Sequence, residues 1–291
     1  MTTVDVPLDR RNALLQGVGV ILIASVLFGV MAVCVDVASR GMDSTEIAFI
    51  RFTGSLLVLL VFRRRRPLRP RPGNLRRVVM RGVLGAGAIV LYYRGIQGAG
   101  AGLATLLNCT YPVFTAVFAT TLMGERFDLR LGGALLLNVL GVLIVLGPGA
   151  ALSASTVSGG LSALAAAVLA GGAVATARQL RSSESAHLIT TYFMATGAVL
   201  TAPSLLMGLP TLSPELAWAL MGVVIMSVGG QVLLHQGLGV APATQGSLAA
   251  ATSVITAAAL QAAFLGEHLS RHSLLGACFV VAAVGLAVSR R

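Results

Sequence analysis

Lysine is absent from this 291-residue chain, and charge of either sign is scarce: 21 basic residues, all arginine, and 10 acidic ones amount to 11% of the sequence. That is too few polar residues to cover a water-facing surface, so a soluble globular protein is excluded. The three cysteines, Cys34, Cys109 and Cys278, have no metal-ligand spacing; they read as buried apolar side chains, and no metal or other cofactor is expected. No His, Asp and Glu gather at one depth and no serine stands beside a plausible base, which removes the constellation a membrane-embedded enzyme needs.

Apolar sequence fills the space left by these absences. Hydrophobic residues make up 56% of the chain, and the mean hydropathy is +0.88. Stretches long enough to cross a bilayer as helices run over 14–38, 44–62, 76–97, 101–123, 130–148, 157–178, 186–207, 215–237, 241–264 and 272–289. The first lacks a cleavage site and is too long for a secretion signal. Loops between the stretches are short, with no room for a soluble catalytic domain or for the partner surface of a receptor or scaffold.

The chain repeats itself at an offset of 142. Gly17, Leu22, Ala24, Val26, Leu27 and Gly29 recur as Gly159, Leu164, Ala166, Val168, Leu169 and Gly171. Gly87, Leu91, Gly95, Ala99, Ala101, Leu106, Thr110, Gly124 and Glu125 recur as Gly229, Leu233, Gly237, Ala241, Ala243, Leu248, Thr252, Gly266 and Glu267. Each unit, 1–150 and 151–291, holds five spans, and an odd number turns the second unit upside down relative to the first. The expected fold is therefore an all-α membrane protein of ten transmembrane helices in two inverted five-helix repeats. That is the build of a secondary transporter, with a site where the halves meet near the midplane.

Arginine placement sets the orientation. Arg10, Arg11, nine arginines between positions 63 and 81, Arg126, Arg130, Arg178, Arg181, Arg290 and Arg291 fall on one side, and only Arg40 and Arg271 fall in loops on the other. The positive-inside rule then puts both termini in the cytoplasm. The loop RRRRPLRPRPGNLRR corresponds in the second copy to LMGLPTLSPELAW, which has no basic residue, as inversion requires. The run reads as a topology signal that also touches anionic lipid rather than nucleic acid.

Helix starts are legible from caps. Asp43 stands at capping-box distance from Glu46, and Ser213, Pro214 and Glu215 supply cap, first turn and dipole partner for span eight. Gly124-Glu125 and Gly266-Glu267 close spans four and nine; each glycine is placed to end its helix left-handed, and each glutamate to accept from amides of the helix that follows.

The stretch 92–142, YYRGIQGAGAGLATLLNCTYPVFTAVFATTLMGERFDLRLGGALLLNVLGV, resembles the closing half of a repeat of the EamA family in the drug/metabolite transporter superfamily. Its marks are the Ala/Gly-rich head of span four, Pro112 in mid-span, Gly124-Glu125 and the small-residue span that follows; Arg51-Phe52 in span two also fits. The second copy keeps Gly266-Glu267 but carries Val254 at the Pro112 register and Met194 at that of Phe52. The resemblance covers essentially the whole chain. It implies metabolite export by alternating access through a cavity lined by spans one, three, four, six, eight and nine. Within the family the chain is most similar to bacterial aromatic amino acid exporters, which implies a multi-pass protein of the inner membrane, with a monomer as the simplest state.

Intramembrane polar residues mark the candidate site. Asp36, Glu46, Arg51 and Arg94 map to the outer half of the first repeat as a candidate gate. Glu46 has a capping role open to it, Arg40 competes with Arg51 and Arg94 for Asp36, Arg51 has a purely structural anchoring role as its equal alternative, and Arg94 is placed to snorkel. Nearer the midplane, Asn108, Thr105 and Tyr111 on span four, Ser247 and Thr252 on span nine, Gln231 on span eight and Tyr92 on span three are candidate substrate contacts. Serine and threonine have the alternative of bonding back to their own helices; a mid-span amide such as Asn108 does not. His235 reads as a core residue near the cytoplasm, with pH sensing as the alternative. A phosphate-bearing substrate would require clustered Lys or Arg, so neutral zwitterions, aromatic amino acids among them, fit better.

Overall fold

The computed structural model describes residues 6–62, 68–146, 154–207, 213–264 and 271–288, and every regular element among them is helical. In order these are α1 (Val6–Ser39), α2 (Ser44–Val61), α3 (Leu75–Asn108), α4 (Tyr111–Met123), α5 (Leu129–Leu146), α6 (Ala154–Leu180), α7 (Ala186–Thr201), a 3-10 turn (Ala202–Met207), α8 (Pro214–Gly237), α9 (Ala243–Ala251), α10 (Ser253–Phe264) and α11 (Arg271–Val288). Segments Asn12–Ser39, Ser44–Val61, Ala154–Leu180 and Pro214–Gly237 are long and apolar enough to cross a bilayer. Ile23, Leu57, Leu161, Val199 and Trp218 are more than half exposed, while Arg51, Arg81, Asn138, Thr190, His235 and Ser247 are buried. This inside-out partition suits a protein whose surroundings are hydrocarbon.

The caps form as their sequences dictate. Asp43 accepts from the Thr45 amide at 2.9 Å while Glu46 accepts from the Asp43 amide at 3.0 Å, closing the capping box. Ser213 accepts from the Leu216 amide at 3.2 Å, with Pro214 opening α8. Gly124 ends α4 at φ 64°, a conformation that favours glycine. Glu125 departs from expectation: its carboxylate accepts from the Ala243 amide at the head of α9, at 3.0 Å, and Asp128 caps α5 instead through the Leu131 amide at 2.8 Å. Pro242 precedes Ala243 and offers α9 no side-chain cap, so the glutamate from the other half supplies one. Glu267 lies outside the described residues.

Spans three and four are divided differently from the reading above. α3 is helical from Leu75 to Asn108, past the loop expected after residue 97. Its neighbours on α6 nevertheless show a reversal. Gly95 faces Ala163 and Gly98 faces Ser155 and Gly159, whereas Leu107 comes back to Gly160 and Phe114 reaches Gly171. The partners on α6 double back between Gly98 and Leu107, in a run of small residues. The real interruption comes later, at Cys109 and Thr110, and span nine is interrupted at Thr252, between α9 and α10.

Both interruptions have the same construction. Thr110 donates its hydroxyl to Leu107 O at 2.6 Å and its amide to the same carbonyl at 3.2 Å; Thr252 does likewise with Ala249 O at 2.7 and 3.3 Å. A threonine that takes the carbonyl three residues back tightens the turn and loosens the α-helical ladder. Pro112 follows only the first break, so the break in the second copy, with Val254 at that register, needs no proline.

Packing repeats with the sequence. α3 lies along α6 as α1 lies along α8, and α2 with α7 and α5 with α11 are pairings that the offset exchanges within themselves. Gly95 approaches Gly159 O at 3.1 Å measured from where its Cβ would stand, and the equivalent Gly237 approaches Gly17 O at 2.6 Å. On the same two helices, Gly171 receives Phe114 and Thr115 just as Gly29 receives Thr256 and Ala257. Backbones this close are what small residues permit in lipid.

Candidate substrate-binding site

A polar stripe runs along one face of α8. Ser227, Gln231 and His235, each one turn beyond the last, are all buried, and a helix places residues four apart on one line. Each end of the stripe meets a buried guanidinium. At the Ser227 end, Arg51 of α2 donates from Nε to Ser227 Oγ at 2.9 Å and from Nη1 to Tyr93 OH at 3.2 Å, with the Phe52 ring centre 5.7 Å from its Cζ. At the His235 end, Arg81 of α3 donates from Nη2 to His235 Nε2 at 3.1 Å and lies over Phe193 with Cζ 4.6 Å from the ring centre.

Arginine has no acceptor, so the Arg81 bond fixes the histidine tautomer. Nε2 of His235 accepts, Nδ1 carries the proton and donates to Thr190 Oγ1 at 2.8 Å, and Thr190 donates on to Ala186 O at 2.8 Å. Outside the stripe, α6 holds this end of α8 by its last carbonyls. Arg181 Nε donates to His235 O at 2.6 Å, and Arg178 Nη1 donates to Leu238 O and Gly239 O, both at 3.0 Å. Two cations thus complement the negative end of the α8 dipole. Glu184 of the following turn accepts from the Arg71 amide at 2.8 Å and from Asn74 at 2.7 Å, tying the arginine-rich α2–α3 connection to the same end.

The expected gate is dispersed. Asp36 pairs with Arg40 at 3.8 Å, the one ion pair among the described residues. Glu46 is engaged in the α2 cap. Arg94 is exposed and acts electrostatically on Asp43. Burial pushes the Asp43 carboxyl up, but hydrogen bonds from Thr45 and Gln97 and the Arg94 charge outweigh it and hold it below the ordinary carboxylate range. Arg51 therefore meets two hydroxyls where a carboxylate was expected.

The mid-span residues divide. Gln231 is buried and its Oε1 has no hydrogen-bond partner among the described residues. Tyr111 donates to Ser247 O at 2.9 Å, joining α4 to α9 across the repeats. The Ser247 hydroxyl bonds back to Thr244 O at 2.8 Å, while Thr252 reaches Ser25 on α1 at 2.8 Å. Asn108 is half-buried as the last residue of α3, directly before the break. Tyr92 is half-buried with its ring centre 5.9 Å from that of Tyr93, and the side chain of Thr105 lies outside the described residues.

Sequence reasoning missed three contributors. Arg81 was counted among the topology arginines, although it stands inside an apolar helix. Ser227 went unnoticed as one more small residue. Asn138 of α5, fully buried, donates to Cys109 O at 3.0 Å and so satisfies the carbonyl freed by the first break. The offset could have flagged the first of these, because Tyr93 and His235 share a register and each holds a guanidinium.

Comparison with known proteins agrees with this architecture. The EamA-like transporter family profile matches residues 15–147 and again 157–289. A pseudopaline exporter of Pseudomonas aeruginosa is 30% identical over 77% of this chain and 78% of its own length. An uncharacterized transporter of Archaeoglobus fulgidus is 27% identical over 93% of this chain and 96% of its own length. One solved crystal structure, 19% identical, superposes with a TM-score of 0.74 over 94% of this chain and 96% of that one, a likeness of fold. Two family matches, each over one unit of the duplication and together spanning most of the sequence, establish that the chain belongs to the EamA-like transporter family.

Proposed function

We propose that the protein is an inner-membrane exporter of small amino-acid-type metabolites, aromatic and other neutral amino acids among them, working by alternating access between two inverted five-span repeats of residues 1–150 and 151–291. The observation that carries this reading is the pair of helix breaks at Thr110 and Thr252, at one register of the two copies. Interrupted helices in corresponding positions mark the binding region of inverted-repeat transporters, because they expose backbone groups at depth and let each half bend.

With the termini inside, the end formed by Arg71, Asn74, Arg178, Arg181 and Glu184 faces the cytoplasm and anionic lipid, and the end formed by Arg40, Asp43 and Gln97 faces out. Exchange of the two halves' conformations opens the ends in turn. Asn108, Thr105, Tyr111, Tyr92, Gln231, Ser247 and Thr252 are the proposed substrate contacts; neutral groups of this kind bind weakly and release quickly. Arg51 lies on the outward side, with Asp36, Glu46 and Arg94 around that end, and is the proposed outer gate residue.

Counterflow of labelled amino acids in proteoliposomes, with and without a pH gradient, tests the reading. Saturable exchange is expected; its absence for every amino acid, or preference for phosphorylated sugars, would overturn it.

A further inference from the structure

The two buried guanidiniums are counterparts under the repeat, although they come from different helices. The offset carries Arg51, Tyr93 and Ser227 onto Phe193, His235 and Gly85. Arg51 is held by Tyr93 and Ser227. In the other half the register of Arg51 is occupied by Phe193, the register of Tyr93 by His235, and the register of Ser227 by a glycine. A methyl on Gly85 would collide with Arg81 Nη1 and the Phe193 ring. The Arg81 guanidinium thus fills the nook that Arg51 fills on the opposite side: beside His235, over Phe193 and in the space Gly85 leaves.

Their states differ. Arg51 makes two hydrogen bonds to hydroxyls. Arg81, 3% exposed, makes one, and its Nε and Nη1 have no partner among the described residues. No carboxylate among the described residues forms an ion pair with either. A cation desolvated in this way without a counter-charge is costly, and what relieves it is an anion. One turn along α8 from His235, the Gln231 Oε1 is likewise buried and without a partner among the described residues, and an amide oxygen accepts from an ammonium. A guanidinium at His235 and an amide oxygen one turn along α8 from it are the two kinds of group that complement an α-amino acid head group.

We propose that Arg81 binds the substrate carboxylate while Gln231 accepts from its amine, and that Arg51 is the equivalent carboxylate station in the half of the bundle that opens outward. This rests on the exporter reading and sharpens it: recognition of charge moves from the neutral groups of α4 and α9 to the α8 stripe, and the substrate class narrows to compounds with a free carboxylate. A single guanidinium against a neutral histidine balances one negative charge, which favours a carboxylate over a phosphate dianion.

The test is thermal unfolding of the purified protein in detergent against a panel of the twenty amino acids, the corresponding primary amides and inorganic phosphate. Amino acids are expected to raise the midpoint and their amides to be at least tenfold weaker. Arg81→Gln is expected to unfold at or above the wild-type temperature without ligand, because a buried unpaired charge is gone, and to lose the amino acid effect at least tenfold. Equal protection by acids and amides, stronger protection by phosphate, no protection by any carboxylate, or undiminished protection in Arg81→Gln would each overturn the proposal. The wild-type comparison of acid with amide decides even if the variant does not fold. Carboxylate protection without flux in proteoliposomes would sink the exporter reading and leave the site standing; flux indifferent to Arg81→Gln would do the reverse.

Discussion

Arg51 and Arg81 show how one residue type takes opposite energetic roles at equivalent places. Arg51→Gln removes donors from Ser227 and Tyr93, and leaving buried hydroxyls unpaired costs about 1–3 kcal/mol. That variant is expected to unfold at a lower temperature than wild type while Arg81→Gln does not, and to show reduced flux with expression retained. Loss of expression and flux in equal measure would make Arg51 a structural anchor only. Asp43 gives a pH-dependent case. Its folded carboxyl titrates below the ordinary value, so its contribution is present above the unfolded pKa of about 3.9 and is lost as pH falls through the lower, folded one. Asp43→Ala removes the cap at neutral pH, at about 1 kcal/mol; wild type and variant should converge in unfolding temperature as pH drops below about 4.

At the scale of the element, much was legible because helix ends obey local rules: Asp43, Ser213 and Gly124 announced themselves. The breaks did not. Proline drew attention to position 112, yet the interruption is built by a threonine hydroxyl, which a sequence shows as one of many threonines. The candidate gate residues do not meet one another, for a related reason. Helical spacing fixes depth but not azimuth, so Asp36, Glu46, Arg51 and Arg94 shared a level without facing one another. The two breaks yield a comparison. Thr110→Val and Thr252→Val each remove one back-bond, but only the second also loses Ser25. Thr252→Val should therefore cost more, by roughly 0.5–1.5 kcal/mol, read as the lower unfolding temperature of the two in the same detergent. Equal midpoints would show that the Ser25 contact adds nothing. Gly159 tests packing: a methyl there would stand 2.5 Å from the Ala99 amide nitrogen, so Gly159→Ala is expected to lose about 1–3 kcal/mol.

At the scale of the whole molecule, the duplication explains why contacts distant in sequence come in pairs. α1 on α8 and α3 on α6 are one interface used twice, and among the described residues the connections bond to groups at their own end: Arg71 and Asn74 with Glu184, Glu125 with Ala243, Asp43 with Gln97. This parity is what ten crossings with both termini inside would produce, and it predicts a labelling pattern. On a background with Cys34, Cys109 and Cys278 replaced by alanine, Gly41→Cys, exposed at the α1–α2 turn, should react with a membrane-impermeant maleimide on intact cells. Arg69→Cys, exposed in the α2–α3 connection, should react only after permeabilisation if that arginine-rich loop obeys the positive-inside rule. Labelling of both positions from the same side would require an even number of crossings between them and would dismantle the inverted repeat. Labelling of Arg69→Cys alone on intact cells would keep the repeat but turn the protein over. The carboxylate station at Arg81 would then open outward and its counterpart at Arg51 inward.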